Sequence, residues 1–142
     1  MDTIPVRFEF NSDDIAEDTI DDLELAGAEI KSRPRRGLIP IIPIVVGVVI
    51  ALAGLATIVQ RVINGRKCRM IIDARSSEIK TEVNCAIKDG RLIVITKDGE
   101  KVTVADAPPA LDLTELVTAA IKGTAEEVRK IAGAAGAKVE PA

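Results

Sequence analysis

The sequence contains no histidine, tryptophan or tyrosine, and its aromatic residues are limited to Phe8 and Phe10. Without histidine, neither a histidine-ligated metal site nor a histidine general base can form. Proteins that bind single-stranded nucleic acid stack the bases on aromatic rings, so this composition argues against a nucleic-acid partner. The chain also lacks the Trp/Tyr belt that often marks a membrane interface.

Cysteine is nearly as scarce, with only Cys68 and Cys85 and no CxxC pair. The two thiols could form a disulfide in an oxidising compartment or stay free and buried in the cytosol. Their spacing leaves both possibilities open.

Catalytic motifs are missing as well. Ser77–Glu78–Ile79–Lys80 has the SxxK spacing of penicillin-binding proteins and β-lactamases. It falls in a predicted turn and strand, however, and the companion motifs of that family do not occur. No glycine-rich phosphate-binding motif and no cluster of metal ligands is present. We therefore expect no catalytic residue, no metal, no cofactor and no small-molecule substrate.

Charge is absent from one long stretch, LIPIIPIVVGVVIALAGLATIVQ, which covers residues 38–60. As a helix it would be about 35 Å long, enough to cross a hydrocarbon layer of about 30 Å. A helix buried in a soluble protein normally keeps a polar stripe, and this stretch has none. The pattern predicts a transmembrane helix over residues 38–63, which would make the chain a single-pass membrane protein.

Basic side chains flank the predicted helix on both sides, where they could reach lipid headgroups. They are Arg33, Arg35 and Arg36 before the helix, and Arg61, Arg66, Lys67 and Arg69 after it. The two ends differ by one basic residue, which is too little for the positive-inside rule to decide the orientation, and a cytoplasmic C-terminal domain is only weakly favoured. Within the helix, Gly47, Ala51 and Gly54 form a small-residue face that could pack against another copy of the chain.

Residues 1–37 form an acidic arm. Apolar residues alternate with other residues from Ile4 to Phe10, which predicts a half-buried strand. A helix is predicted to follow from about residue 13 to 25. Eight acidic residues and no basic one occur between Ser12 and Ile30. This acidic surface is either a solvated helix face or a docking site for a basic partner.

Residues 64–142 form the third segment, a small α+β domain. Period-two patterns predict strands at residues 69–74, 79–87, 92–96 and 101–104. Asp-Gly pairs at residues 89–90 and 98–99 favour tight turns, so we expect an antiparallel β-meander. Helical spacing predicts two helices, at about residues 113–121 and 124–134, and a short strand at 138–140.

The predicted fold class is therefore α+β, with a strand–helix arm, one transmembrane helix, a β-meander and two C-terminal helices. Such a chain would act as an anchor or adaptor at a lipid bilayer and contact other protein subunits, including further copies of itself. One alternative is a membrane-active effector that assembles into a pore, as holins and toxins do. Another is a structural subunit of a membrane-associated assembly.

Overall fold

The computed structural model describes residues 3–32, 44–105, 113–134 and 138–141. In chain order the elements are β1 (Thr3–Phe10), α1 (Asp13–Leu25), β2 (Glu29–Ser32), β3 (Ile44–Ala51), α2 (Leu52–Gln60), a π-helical turn (Arg61–Gly65), β4 (Arg69–Asp73), β5 (Ile79–Asn84), β6 (Leu92–Ile95), β7 (Lys101–Ala105), α3 (Leu113–Lys122), α4 (Ala125–Ala134) and β8 (Lys138–Pro141).

All eight strands belong to one mixed sheet with the order β2-β3-β1-β5-β4-β6-β7-β8. The first strand, β1, pairs antiparallel with β3 on one side and parallel with β5 on the other. Strands from the acidic arm, from the apolar stretch and from the C-terminal segment therefore share one sheet. The predicted α+β class is confirmed.

The transmembrane helix predicted over residues 38–63 is wrong. Residues 44–51 of this stretch form strand β3, and a helix of only nine residues, α2, follows directly. Leu38–Pro43 lies outside the described residues. In the described ranges no helix has the length and apolar character needed to cross a membrane. The predicted single-pass architecture and membrane localisation are therefore wrong, and the orientation that depended on them no longer applies.

The amino acids of the apolar stretch explain why it divides into a strand and a helix. Six of the eight residues in β3 are valine or isoleucine, whose branched Cβ favours extended backbone. Alternate side chains of β3 are buried, as expected for a strand in a sheet. From Leu55 to Ile63 the buried side chains instead follow helical spacing. One face of the strand and one stripe of the helix thus enter the core.

A single hydrophobic core lies between one face of the sheet and the four helices. Inner-face side chains from β1 and β3 to β7 belong to the same cluster as the buried residues of α1 to α4. Phe8 and Phe10 stack within this core, with ring centroids 6.0 Å apart. The helices predicted at residues 13–25, 113–121 and 124–134 are confirmed, and all pack on this side.

The predicted antiparallel meander is wrong, although its strands are present. β4 and β5 pair antiparallel, as do β6 and β7, but β6 lies parallel to β4 rather than beside β5. The other edge of β5 is occupied by β1, so β6 must pair elsewhere. Of the two Asp-Gly turns, only the one at Gly99, with φ of 87°, closes a hairpin. Gly90 instead donates its N–H to the carbonyl oxygen of Lys67 at 3.0 Å.

Candidate functional site

The second face of the sheet, which we call the outer face, is exposed where the inner face is covered by helices. Every outer-face residue of β1, β3, β4, β5 and β6 keeps part of its surface accessible. The buried residues of all four described helices belong to the core on the opposite side. On these five strands the outer face is thus partly open to a partner, whereas Thr103 and Ala105 on the outer face of β7 are buried.

Five aliphatic side chains lie on this outer face and remain partly exposed. They are Val45 and Val49 of β3, Ile71 of β4, and Ile93 and Ile95 of β6. None of them belongs to the core cluster or to the set of side chains that pack against it. They are therefore partly exposed apolar groups outside the hydrophobic core of the described chain.

A charged strip on the neighbouring strands β1 and β5 separates the two valines of β3 from the three isoleucines of β4 and β6. Arg7 is the direct cross-strand partner of Lys80, which gives a cationic row. Glu9 is the direct partner of Glu82, which gives an anionic row two residues further along the same strands. Like charges directly opposite each other destabilise a strand pair. The monomer therefore carries an electrostatic cost in both rows.

Contacts within the chain relieve this cost only weakly. The Nε of Arg7 lies 3.7 Å from Oε1 of Glu9, which is too long for a hydrogen bond. This Nε is buried and has no hydrogen-bond partner among the described residues. Lys80 and Glu82 are exposed, and the charge of Lys80 interacts with Asp73, its cross-strand partner on β4. Both rows can therefore bind charges of a partner.

Asp73 lies on the outer face beside the cationic row, as the cross-strand partner of Lys80. Its carboxylate accepts hydrogen bonds from Nε and Nη2 of Arg75, at 3.0 and 2.7 Å. These bonds are the main reason why the pKa of Asp73 lies below its usual value. The charge of Asp73 is thus already balanced by Arg75 at neutral pH.

The basic residues predicted to face lipid headgroups contact carboxylates of their own chain. Arg61 pairs with Asp22 at 2.8 Å, and Arg66 pairs with Asp18 at 3.2 Å. Two acidic residues of α1 are therefore held against the C-terminal end of α2 and the turn that follows it.

The other basic residues predicted to face lipid headgroups have no common partner among the described residues. Arg69 donates from Nε to Asp89 at 3.1 Å. Partial burial acts to raise the pKa of Asp89, but hydrogen bonds from Arg69 and the backbone of Arg91 outweigh it, so the pKa is lowered. Lys67 is exposed and has a left-handed backbone, with φ of 59°. Three further candidates, Arg33, Arg35 and Arg36, lie outside the described residues.

The three small residues predicted to form a helix-packing face do not share one helix. Gly47 lies on the outer face of β3, opposite Arg7, and Ala51 ends the same strand. Gly54 lies in α2, where an added Cβ would approach the carbonyl oxygen of Ala26 to 3.1 Å. Gly54 therefore lets α2 approach the end of α1 within the same chain.

Cys68 and Cys85 form a disulfide, with their Cα atoms 4.4 Å apart. Cys68 is fully buried, and the bond joins the residue before β4 to the residue after β5. Neither thiol is available for catalysis or metal binding while the disulfide is intact. In the described ranges no three potential metal ligands lie together.

The sequence carried a partial signal for the outer face. The alternation in β1 and β5 places Arg7, Glu9, Lys80 and Glu82 away from the core. Only the parallel pairing of these strands brings like charges into rows. Partly exposed aliphatic side chains and charged side chains thus share one surface, which is the candidate functional site. No known protein family, curated protein or solved structure matches the chain.

Proposed function

We propose that the chain is a non-enzymatic protein-interaction module that docks a partner protein through the outer face of its sheet. The observation that carries this proposal is the set of five outer-face aliphatic side chains that lie outside the core. Apolar groups gathered on one surface and combined with charged groups are typical of protein-binding sites.

The chemistry of the titratable groups supports a binding role over a catalytic one. The chain has no histidine, and both cysteines are in a disulfide. The carboxyl groups of Asp73, Asp89 and Asp98 have pKa values shifted downward, away from the neutral range in which a general acid or base works. Each of them is held by a hydrogen bond from a neighbouring side chain rather than poised for proton transfer.

The proposal keeps the adaptor role predicted from the sequence but assigns it to a different part of the molecule. The apolar stretch contributes Val45 and Val49 to the outer face through strand β3. In the described part of this stretch, residues 44–60, the buried side chains belong to the protein core. The contact surface is therefore a β-sheet face with a charged strip, and the partner must offer both apolar and charged groups.

Position-specific crosslinking in the cells that produce the protein tests this proposal. A photo-reactive phenylalanine analogue replaces Ile93 on the outer face, and a matched control carries it at Glu126, an exposed position on α4. We expect discrete protein adducts after irradiation from position 93 and none from position 126. Adding the substitution Glu82→Lys to the Ile93 variant is expected to weaken these adducts, because the charged strip takes part in docking.

Two outcomes of the crosslinking experiment would contradict the proposal. If neither position 93 nor a second outer-face position, Val49, gives an adduct in correctly folded protein, the outer face has no protein partner and the proposal is wrong. Equal labelling from positions 93 and 126 would also contradict it, because the contact would then not be specific to the outer face.

A further inference from the structure

We infer that the partner docked on the outer face is a second copy of this chain, joined to the first by a two-fold axis. This inference rests on the proposed function, since it names the occupant of the same surface. It is carried by the arrangement of charges in the two rows, which is complementary to itself.

The geometry follows from the sheet register. Glu9 and Arg7 lie on the same strand two residues apart, as do Glu82 and Lys80, and all four face outward. Two residues along a strand correspond to about 6.6 Å. A two-fold axis that runs across the strands, midway between the rows, places the anionic row of each copy over the cationic row of the other.

The contact between the charged rows is then formed twice. Glu9 of one copy faces Arg7 of the second, and Glu82 faces Lys80, with the same contacts repeated in the reverse direction. This reciprocity is the requirement of a closed, isologous dimer. Both rows of like charge, which repel within the monomer, gain an opposite charge in the dimer.

The apolar positions fit the same axis. Ile93 on β6 lies in the anionic row and Ile95 in the cationic row, so Ile93 of one copy faces Ile95 of the second. On β3, the side chain of Val45 faces Gly47, where no side chain stands in its way.

On β4 an apolar residue meets a charged one, since Ile71 of one copy faces Asp73 of the other. The charge of Asp73 is already balanced by Arg75, with a hydrogen bond of 2.7 Å, so this contact leaves no unpaired charge. Stacked sheets cross at about 30° because each sheet is twisted. The central strands therefore stay in register while the edge strands diverge. The charged strip lies on β1 and β5, near the centre of the eight-stranded order.

Sedimentation of the full-length chain over a wide concentration range tests the inference. The wild-type protein is expected to change reversibly from monomer to dimer as its concentration rises, with a dissociation constant that increases with salt because charged groups contribute to the contact. Protein that stays monomeric at every concentration and at low salt would overturn the inference.

A charge swap identifies the surface. The double variant Glu9→Arg/Glu82→Lys makes both rows cationic, and Arg7→Glu/Lys80→Glu makes both rows anionic. Each variant alone is expected to dimerise at least about tenfold more weakly than the wild type, because like charges then face each other. An equimolar mixture of the two is expected to form a heterodimer, because every row again meets its opposite.

The control variant, Asp21→Lys/Glu126→Lys, makes the same change in net charge as Glu9→Arg/Glu82→Lys, but at exposed positions on α1 and α4. It is expected to dimerise like the wild type. Circular dichroism establishes that each variant is folded, and recovery of the dimer on mixing shows that neither had lost its fold. If the folded variants dimerise as well as the wild type, or if the mixture does not recover, the outer face is not the dimer interface.

These outcomes separate this inference from the proposed function. Crosslinking from position 93 to a different protein, with monomeric wild-type chain in solution, keeps the interaction module and rejects the second copy. Adducts at twice the mass of the chain support both. The absence of any adduct, together with monomeric protein, rejects both.

Discussion

At the scale of single residues, Thr81 is a buried polar group without a partner. It lies on the inner face of β5, between its cross-strand neighbours Phe8 and Ile72. The residue is fully buried, and its Oγ1 has no hydrogen-bond partner among the described residues. Leaving a buried hydroxyl unsatisfied costs about 1–3 kcal/mol. Thr81 is therefore a site at which the chain is less stable than its fold allows.

We expect the substitution Thr81→Val to raise the free energy of unfolding by about 1 kcal/mol, because valine replaces the hydroxyl with a methyl group of similar size. Urea denaturation of the two proteins measures this difference. The matched control is Thr96→Val. The hydroxyl of Thr96, equally buried, contacts the carboxylate of Asp98 and the carbonyl oxygen of Glu100. Its loss should lower the free energy of unfolding, and a gain in stability in both variants would contradict this account.

At the scale of elements, β3 decides how the apolar stretch is used. Its side chains alternate between fully buried positions, such as Val46, and partly exposed positions, such as Val45. A lipid-embedded helix would show no alternation with a period of two residues. A strand with one buried face and a lipid-embedded helix therefore predict different changes in stability when a charge is placed at neighbouring positions.

Two single substitutions in β3 measure this alternation. Val46→Lys places an unpaired charge in the core and is expected to lower the free energy of unfolding by more than about 4 kcal/mol, or to prevent folding. Val45→Lys places the same charge on the outer face, so its effect should stay within about 1 kcal/mol. Thermal unfolding in dilute solution compares the two with the wild type. Equal effects at positions 45 and 46 would show that β3 is not a strand with one buried face.

At the scale of the whole molecule, the disulfide ties together two neighbouring strands of the sheet, β4 and β5. It links the residue before β4 to the segment that leads from β5 to β6, and it closes a loop over a sequence separation of 17 residues. Closing a loop of this length reduces the entropy of the unfolded chain by the equivalent of about 3 kcal/mol. The bond therefore stabilises the antiparallel pair of β4 and β5.

Reduction of this disulfide is expected to lower the free energy of unfolding by about 3 kcal/mol. Guanidinium denaturation with and without a reducing agent measures the change. The double variant Cys68→Ala/Cys85→Ala serves as the control, since its unfolding should not respond to the reducing agent. An unchanged midpoint for the reduced wild-type protein would mean that the bond does not contribute to stability.

The sequence by itself determined most of the local elements. The alternation from Ile4 to Phe10 predicted strand β1, and the helical spacing around Leu116 and Val128 predicted α3 and α4. The Asp-Gly pair at Gly99 predicted the hairpin between β6 and β7. Each of these features depends on interactions between residues close in sequence, such as side-chain periodicity and backbone conformation at glycine.

Only the tertiary structure decided where the apolar stretch goes and which strands become neighbours. Hydrophobic burial has no direction, so residues 44–60 gain as much from a protein core as from lipid, and the sequence pattern does not distinguish the two. Period-two alternation identifies a strand but not its partner. The outer face, with Glu9 beside Glu82 and Arg7 beside Lys80, exists because β1 pairs with β5 across more than 70 residues of chain.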